Sequence, residues 1–401
     1  MDSFARERSV EAMVSHNERR GDRKRVLIAG AGLAGIESAL ALRELAGDLL
    51  EVELCDPRRE FSFRPFAVGE PYGAAGIFRY DMKALAARCG ASFHPDGIVS
   101  VEPECNLAVT RDGERLGYDH LLLATGVRVL EAVPGAATFW GAADEGEVGE
   151  VFAALRAGRL RSLAFTMPPG RSWVLPLYEL ALLGARQLAR AGAGVGAKLT
   201  VVTPEDSPLE LFGPAASEQM DRLLGERGVA VVAGAQPVAF DAGRLRLSRG
   251  EEIEADAVIS LPRLEGRRVS GIAHDAEGFI EVDDHGRVTG RGRVFAAGDV
   301  TSFPVKQAGI ATQQAGAAAG LIAREADAAV DPEPFDPVLR GTLWTARKPR
   351  YLYGRPGGNG DASDLSQEPR WPTRNGEVTG RYLASFLDSL TDDPVHAVSS
   401  Y

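Results

Sequence analysis

The hexapeptide GAGLAG places Gly30, Gly32 and Gly35 in G-x-G-x-x-G spacing, with Leu33 and Ala34 between the second and third glycines. An apolar strand over residues 25–29 runs into this turn, and a helix from about Leu33 to Leu45 leaves it. In such a turn the first glycine permits the bend and the second lets a pyrophosphate approach the backbone. The third lets the helix pack closely on the strand. The helix start then offers free N–H groups and a partial positive charge to phosphate. The next strand ends at Asp56-Pro57, where a carboxylate would accept hydrogen bonds from a ribose diol. A packing cluster of glycines without a ligand is the bland alternative.

A second strand–loop–helix runs from Ser162 to Pro204, with strands SLAFTM and KLTVVTP and helix LYELALLGARQLARA. It repeats the plan of the first unit but not its residues. Its turn, PPGRSWVLP, has three prolines, one tryptophan and only Gly170. Prolines donate no N–H groups, and Trp173 fills space a pyrophosphate would need. Arg171 offers a positive group to a phosphate or to solvent. Thr203 or Glu205 stands where a ribose would be met. Glu179, on the helix, is either a group near a nicotinamide or an exposed helix carboxylate.

The elements that must position these residues read as α/β. Between the two units lies an alternating stretch with turn signals at 95–97 and 112–113, ending in a buried strand from His120 to Ala124. Another strand-rich stretch follows the second unit, and a long alanine-rich helix follows GRVFAAGD. The expected architecture is two doubly wound, three-layer dinucleotide-binding domains, the second inserted in the first, plus a small C-terminal domain. Residues 25–128 and 265–330 would form the first domain and 129–264 the insert. Residues 1–24 read as a solvated arm, with contact to anionic lipid as the sharper alternative. DPEPFDP reads as a linker into residues 331–401, whose Trp344, Tyr351 and Trp371 would cap a cofactor or form a dimer core.

Two further segments resemble motifs of the FAD-dependent pyridine nucleotide-disulfide oxidoreductase superfamily. LLLATG carries Ala124, Thr125 and Gly126, and VFAAGD carries Gly298 and Asp299. With GAGLAG they stand in that superfamily's order, over about residues 25–330. The resemblance implies non-covalent FAD, with Asp299 on the ribityl chain and the backbone near Val99 and Thr125-Gly126 close to the cofactor. CDPRREFSFRPFAVGEPYG and FPVKQAGIATQQA resemble the sulfide:quinone reductase and type II NADH dehydrogenase branch. By that resemblance Arg64, Pro65, Lys306 and Gln307 would sit near the isoalloxazine ring. A cation there would stabilise the negative charge of a reduced flavin and raise its potential. A surface lysine at a helix start is the alternative, though lysine is unfavourable at that end of a helix dipole. Gln307, Gln313 and Gln314 would line a quinone tunnel or simply be solvated.

Absences narrow the chemistry. Cys55, Cys89 and Cys105 form no C-x-x-C or C-x4-C pair, so a dithiol relay is excluded. No cysteine follows Cys105, which puts cysteine-mediated sulfide oxidation in doubt. The three thiols suit a reducing cytoplasm. A net charge of −11 argues against a nucleic-acid binder. No apolar run approaches the ~18 residues that span a membrane. The N-terminal stretch has no apolar core of the kind a signal peptide carries. TGRYLASFLDSL puts Tyr382, Leu383, Phe386 and Leu390 on one helix face, short for an anchor and more fitting for docking on the flavin domain or a second subunit.

The sequence therefore predicts an oxidoreductase that passes electrons from a small-molecule donor, NAD(P)H included, through FAD to a quinone or another small acceptor. Catalytic roles fall to Lys306 and Glu179. A degenerate second loop that binds NAD(P)H weakly or not at all is the narrower expectation. The rivals are a sulfide:quinone reductase-like enzyme without the usual cysteine pair, and a flavin-bearing regulatory protein. Peripheral contact with the membrane's inner face and a homodimer are the further expectations.

Overall fold

Val26, Leu27, Ile28 and Ala29 are all buried, as are His120, Leu121, Leu122 and Leu123. Strands apolar on both faces belong in the middle of a parallel sheet covered on each side, and that is where both lie. The computed structural model describes residues 23–64, 67–72, 78–141, 146–190, 197–345, 348–355, 365–368 and 380–391. The readings of the arm over 1–22, of Pro65 and of Trp371 lie outside them.

The first sheet has the order Val294–Ala296, His120–Leu123, Lys24–Ala29, Leu50–Cys55, Ser92–His94, with every neighbour parallel. The second has the order Ala137–Thr138, Ala257–Ser260, Ser162–Thr166, Lys198–Val202, Val229–Val232, again all parallel. The first glycine-turn strand thus sits at the centre of one sheet and Ser162–Thr166 at the centre of the other. The edge strands Ser92–His94 and Val229–Val232 each lead into a three-stranded antiparallel meander, over residues 98–117 in one case and 237–254 in the other. Val127–Leu130 and Arg263–Gly266 pair antiparallel and carry the chain across and back.

Helices Leu33–Ala46 and Ala308–Glu325 cover the first sheet and pack on each other, their alanines and glycines allowing close approach. Helix Leu175–Arg190 is buried along Leu177, Tyr178, Glu179, Leu180, Ala181 and Leu182, apolar on most sides rather than along one stripe. The C-terminal residues serve both cores. Leu339, Leu343 and Leu352 of the hairpin join the second, whereas Leu383, Leu387 and Leu390 of helix Leu383–Thr391 join the first. None of the described helices is long and apolar enough to cross a membrane.

Candidate functional site

Gly30 turns the chain at the end of the central strand with φ +109°, and a Cβ there would lie 2.3 Å from the Ala124 carbonyl oxygen. A Cβ on Gly35 would lie 1.9 Å from the Gly30 carbonyl oxygen, so only glycine lets the helix reach the strand. Gly32 differs: among the described residues, its chain neighbours aside, nothing lies within 4 Å of its Cβ position. It faces a cavity of about 450 Å3.

That cavity brings together most of the residues singled out from the sequence. Gly30, Gly32, Leu33 and Ala34 line it with Asp56, Pro57 and Arg64, then Ala124, Thr125, Gly126, Gly298 and Asp299. Gly35 stands behind the turn as a packing residue. Val99 is not at the cavity; it is exposed, and its neighbours Gly97 and Ile98 line the wall instead. Strand alternation turns Ile98 inward and Val99 outward. Lys306 and Gln307 do not line the cavity either, although Ala308 and Ala311 of the same segment do. Among the described residues, none beyond Ala311 lines it, so the cap expected from Trp344 and Tyr351 is not formed there.

Asp56 is buried, and its carboxylate accepts the Ala31 N–H at 2.8 Å and the Arg58 N–H at 2.9 Å. The Arg58 guanidinium closes on both of its oxygens at 2.9 and 2.7 Å. Burial alone would raise the Asp56 pKa, but the Arg58 bonds and charge outweigh it and hold the carboxyl below its ordinary value. Arg58, Arg111 and Arg267 line the same end of the cavity and were missed in the sequence. The signal was Arg58, two residues past an acid that needed a counter-charge.

At the other side, burial raises the Asp299 pKa against the Lys306 charge. Lys306 is buried, not a surface residue. It donates to the Thr301 carbonyl, and its Nζ lies 4.0 Å from the Phe279 ring centroid. Burial lowers its pKa to about 7; Asp299, Asp275 and Glu277 oppose that, and Arg171 adds to it. The three glutamines are each bonded within the chain. Gln314 accepts the Gly298 N–H at 2.8 Å, Gln313 bonds the Val338 backbone, and Gln307 donates to the Arg340 carbonyl.

In the second unit, each polar residue that would meet a nucleotide is engaged by the chain itself. Glu205 is buried and accepts hydrogen bonds from the Tyr178 hydroxyl and, at 3.0 Å, from Thr203. Burial raises its pKa to about 7, against those bonds. Glu179 is buried rather than exposed, and accepts the Trp344 N–H at 2.9 Å. Arg171 donates to Glu277 at 3.0 Å, to Asp275 at 3.2 Å and to the Ser302 carbonyl, all on the first-sheet side. Trp173 packs edge-on to Phe212, with ring centroids 5.9 Å apart.

The thiols stand apart from this chemistry. Cys55 borders the cavity, but its Sγ donates to the Asp96 carbonyl, and burial pushes its pKa up to about 12. Burial does the same to Cys89, and Cys105 is exposed in a turn.

A family model described as pyridine nucleotide-disulphide oxidoreductase matches residues 24–315. The chain belongs to that family. It is 29% identical over 299 residues to an NADH dehydrogenase-like protein of Mycobacterium tuberculosis, covering 69% of this chain and 73% of the relative. It is 24% identical over 308 residues to the sulfide-quinone reductase of Aquifex aeolicus, covering 70% of this chain and 69% of that one. The solved structure of the Aquifex aeolicus sulfide:quinone oxidoreductase superposes with a TM-score of 0.77 at 22% identity, over 83% of this chain and 84% of that one, and shows the fold.

The protein is thus an oxidoreductase of the pyridine nucleotide-disulphide oxidoreductase family, and its cofactor is FAD. The cavity fits that group. Gly32 leaves room for a pyrophosphate, and the buried Thr125 Oγ1 has no partner among the described residues. Asp56 and Asp299 both line the cavity, following strands that lie on opposite sides of Lys24–Ala29 in the sheet.

Proposed function

We propose that this family member carries FAD non-covalently in the 450 Å3 cavity and passes electrons from a small-molecule donor to a quinone-class acceptor, with NAD(P)H a poor donor. FAD supplies the two-electron chemistry; the protein supplies its grip and its electrostatics. Gly32 and the helix start at Leu33 would bind the pyrophosphate, and Asp299 and Asp56, the latter with the Arg58 guanidinium drawn off its oxygens, would hold hydroxyls of the cofactor. Arg64 is an exposed cation at the cavity, as are Arg58, Arg111 and Arg267.

The observation that carries the donor assignment is the occupancy of the second unit by its own side chains. Arg171, Glu179 and Glu205 are all bonded within the protein, and Trp173 packs into the loop. A nicotinamide nucleotide would have to break these contacts to enter. The likeness to a sulfide-quinone reductase supports the quinone side. The buried thiols argue that a sulfide donor would act without a cysteine relay.

The test is anaerobic reduction of the purified yellow protein with dithionite, followed by mixing with short-chain quinones. Reoxidation much faster than with dioxygen supports a quinone acceptor; reoxidation no faster than with dioxygen removes it. Heat or acid denaturation should release all flavin as free FAD. Flavin retained on the chain would contradict non-covalent binding.

A further inference from the structure

We propose that Arg171, on the loop of the second unit, is a positioning residue for the first unit's cofactor: it sets the charge on Lys306 instead of gripping a nucleotide. The inference rests on FAD occupying the first cavity.

The geometry is a partly buried cluster built across the two units, with Phe279 and Lys306 buried, Arg171 and Asp275 half-buried and Glu277 exposed. Phe279 is fully buried, and two cations lie over its ring: the Arg171 guanidinium carbon at 4.5 Å and Lys306 Nζ at 4.0 Å from its centroid. The loops are tied by backbone as well, the Lys306 N–H donating to the Arg171 carbonyl at 3.3 Å. Arg171 Nη1 donates to the Ser302 carbonyl, close in sequence to the Thr301 carbonyl that takes the Lys306 ammonium. Asp275 and Glu277 hold the other guanidinium nitrogens. The charged groups acting on Lys306 are therefore Asp299 on the cavity side and Arg171, Asp275 and Glu277 on the other.

Two cations sharing one ring and one desolvated space repel each other, and a buried ammonium yields its proton more readily than a guanidinium. Arg171 both repels Lys306 and neutralises the two carboxylates that would otherwise hold its charge. With Arg171 in place, Lys306 loses its charge near neutrality, where its pKa is about 7. Without it, Lys306 faces three uncompensated carboxylates and stays charged into the alkaline range. The charge beside Asp299, and hence the field at the bound flavin, then depends on pH in a way Arg171 controls.

The experiment is a pH titration of the holoprotein from 5.5 to 9.5, about the Lys306 value and on either side of it, following the flavin's visible spectrum and its midpoint potential. Four proteins are compared: the natural chain, Arg171→Gln, Lys306→Met and Lys306→Arg. The natural protein should show a spectral transition near neutrality. Both Lys306 variants should lose it, Lys306→Arg serving where the uncharged variant sheds flavin. Arg171→Gln should move the transition up by roughly one pH unit or more while keeping its flavin. A merely structural Arg171 would lower thermal stability and leave the transition in place, which overturns the proposal. A transition that survives in both Lys306 variants also overturns it. These readouts need no electron donor, so they stand whether or not NAD(P)H proves to reduce the protein.

Discussion

The Glu37 carboxylate, one helical turn into the glycine-turn helix, accepts the Leu383 N–H at 2.7 Å and the Tyr382 N–H at 3.2 Å. A carboxylate buried in the first domain thus caps the start of the C-terminal helix, which docks through Leu383, Leu387 and Leu390. Gly380 is part of the fit, since a Cβ there would lie 2.5 Å from a Glu37 oxygen.

This relationship makes docking of that helix pH-dependent. Burial raises the Glu37 pKa from 4.5 to about 7, against the backbone hydrogen bonds that lower it. A carboxyl whose pKa is higher when docked takes up a proton on docking. Its contribution is therefore complete below pH 4.5 and declines as pH rises to about 7. Hydrogen-exchange protection over residues 380–391, corrected for the intrinsic pH dependence of amide exchange, should be greater at pH 5 than at pH 8. Glu37→Gln should flatten that difference; an unchanged pH dependence in the variant would refute the assignment.

The glycines of the first turn should separate folding from cofactor binding. Gly35→Ala forces a Cβ to 1.9 Å from the Gly30 carbonyl and should leave little folded protein. Gly32→Ala adds a methyl that meets nothing within 4 Å among the described residues beyond its chain neighbours. Its apoprotein should melt within about 1 kcal/mol of the natural one while FAD affinity falls about tenfold or more. Circular dichroism of the apoprotein and a fluorescence titration with FAD read the two separately. Equal affinity in Gly32→Ala would move the pyrophosphate elsewhere.

The thiols should be bystanders. A disulfide reagent should label Cys105 quickly and reach Cys55 and Cys89 only on unfolding, because burial holds both of these near pKa 12. The Cys105→Ser protein should keep its flavin and its rate with every donor. Loss of turnover on labelling Cys105 would bring back a cysteine-dependent reaction.

Much of the first unit was legible because its signals are local. GAGLAG lies between a strand and a helix, and HLLL and VFA are short apolar runs of the kind a covered parallel sheet contains. The three motif segments accordingly meet at one cavity. Contacts across long stretches of sequence were not legible. Arg171 and Asp275 are 104 positions apart, and nothing near PPGRSW says that its arginine will cross to the other sheet. The two-residue strand Ala137–Thr138 is too short to carry a pattern. Glu179 did have a signal: the helix around it is apolar on most sides, so a glutamate within it was more apt to be buried than solvated. Val99 was placed one residue off because a strand's alternation, not a motif, decides which side chain faces the ligand.

On the proposed reading the second unit is closed to nicotinamide by its own residues, with Arg171 tied to Asp275 and Glu277 and Glu205 tied to Tyr178. The measurement that bears on it most directly is an anaerobic titration of the holoprotein with NADH, then NADPH, then sulfide, following the flavin's visible band. Neither nicotinamide should bleach the flavin on the time scale of turnover, while dithionite should do so fully. Fast stoichiometric bleaching by either nucleotide would contradict that reading, and would mean that the PPGRSW loop opens to take one.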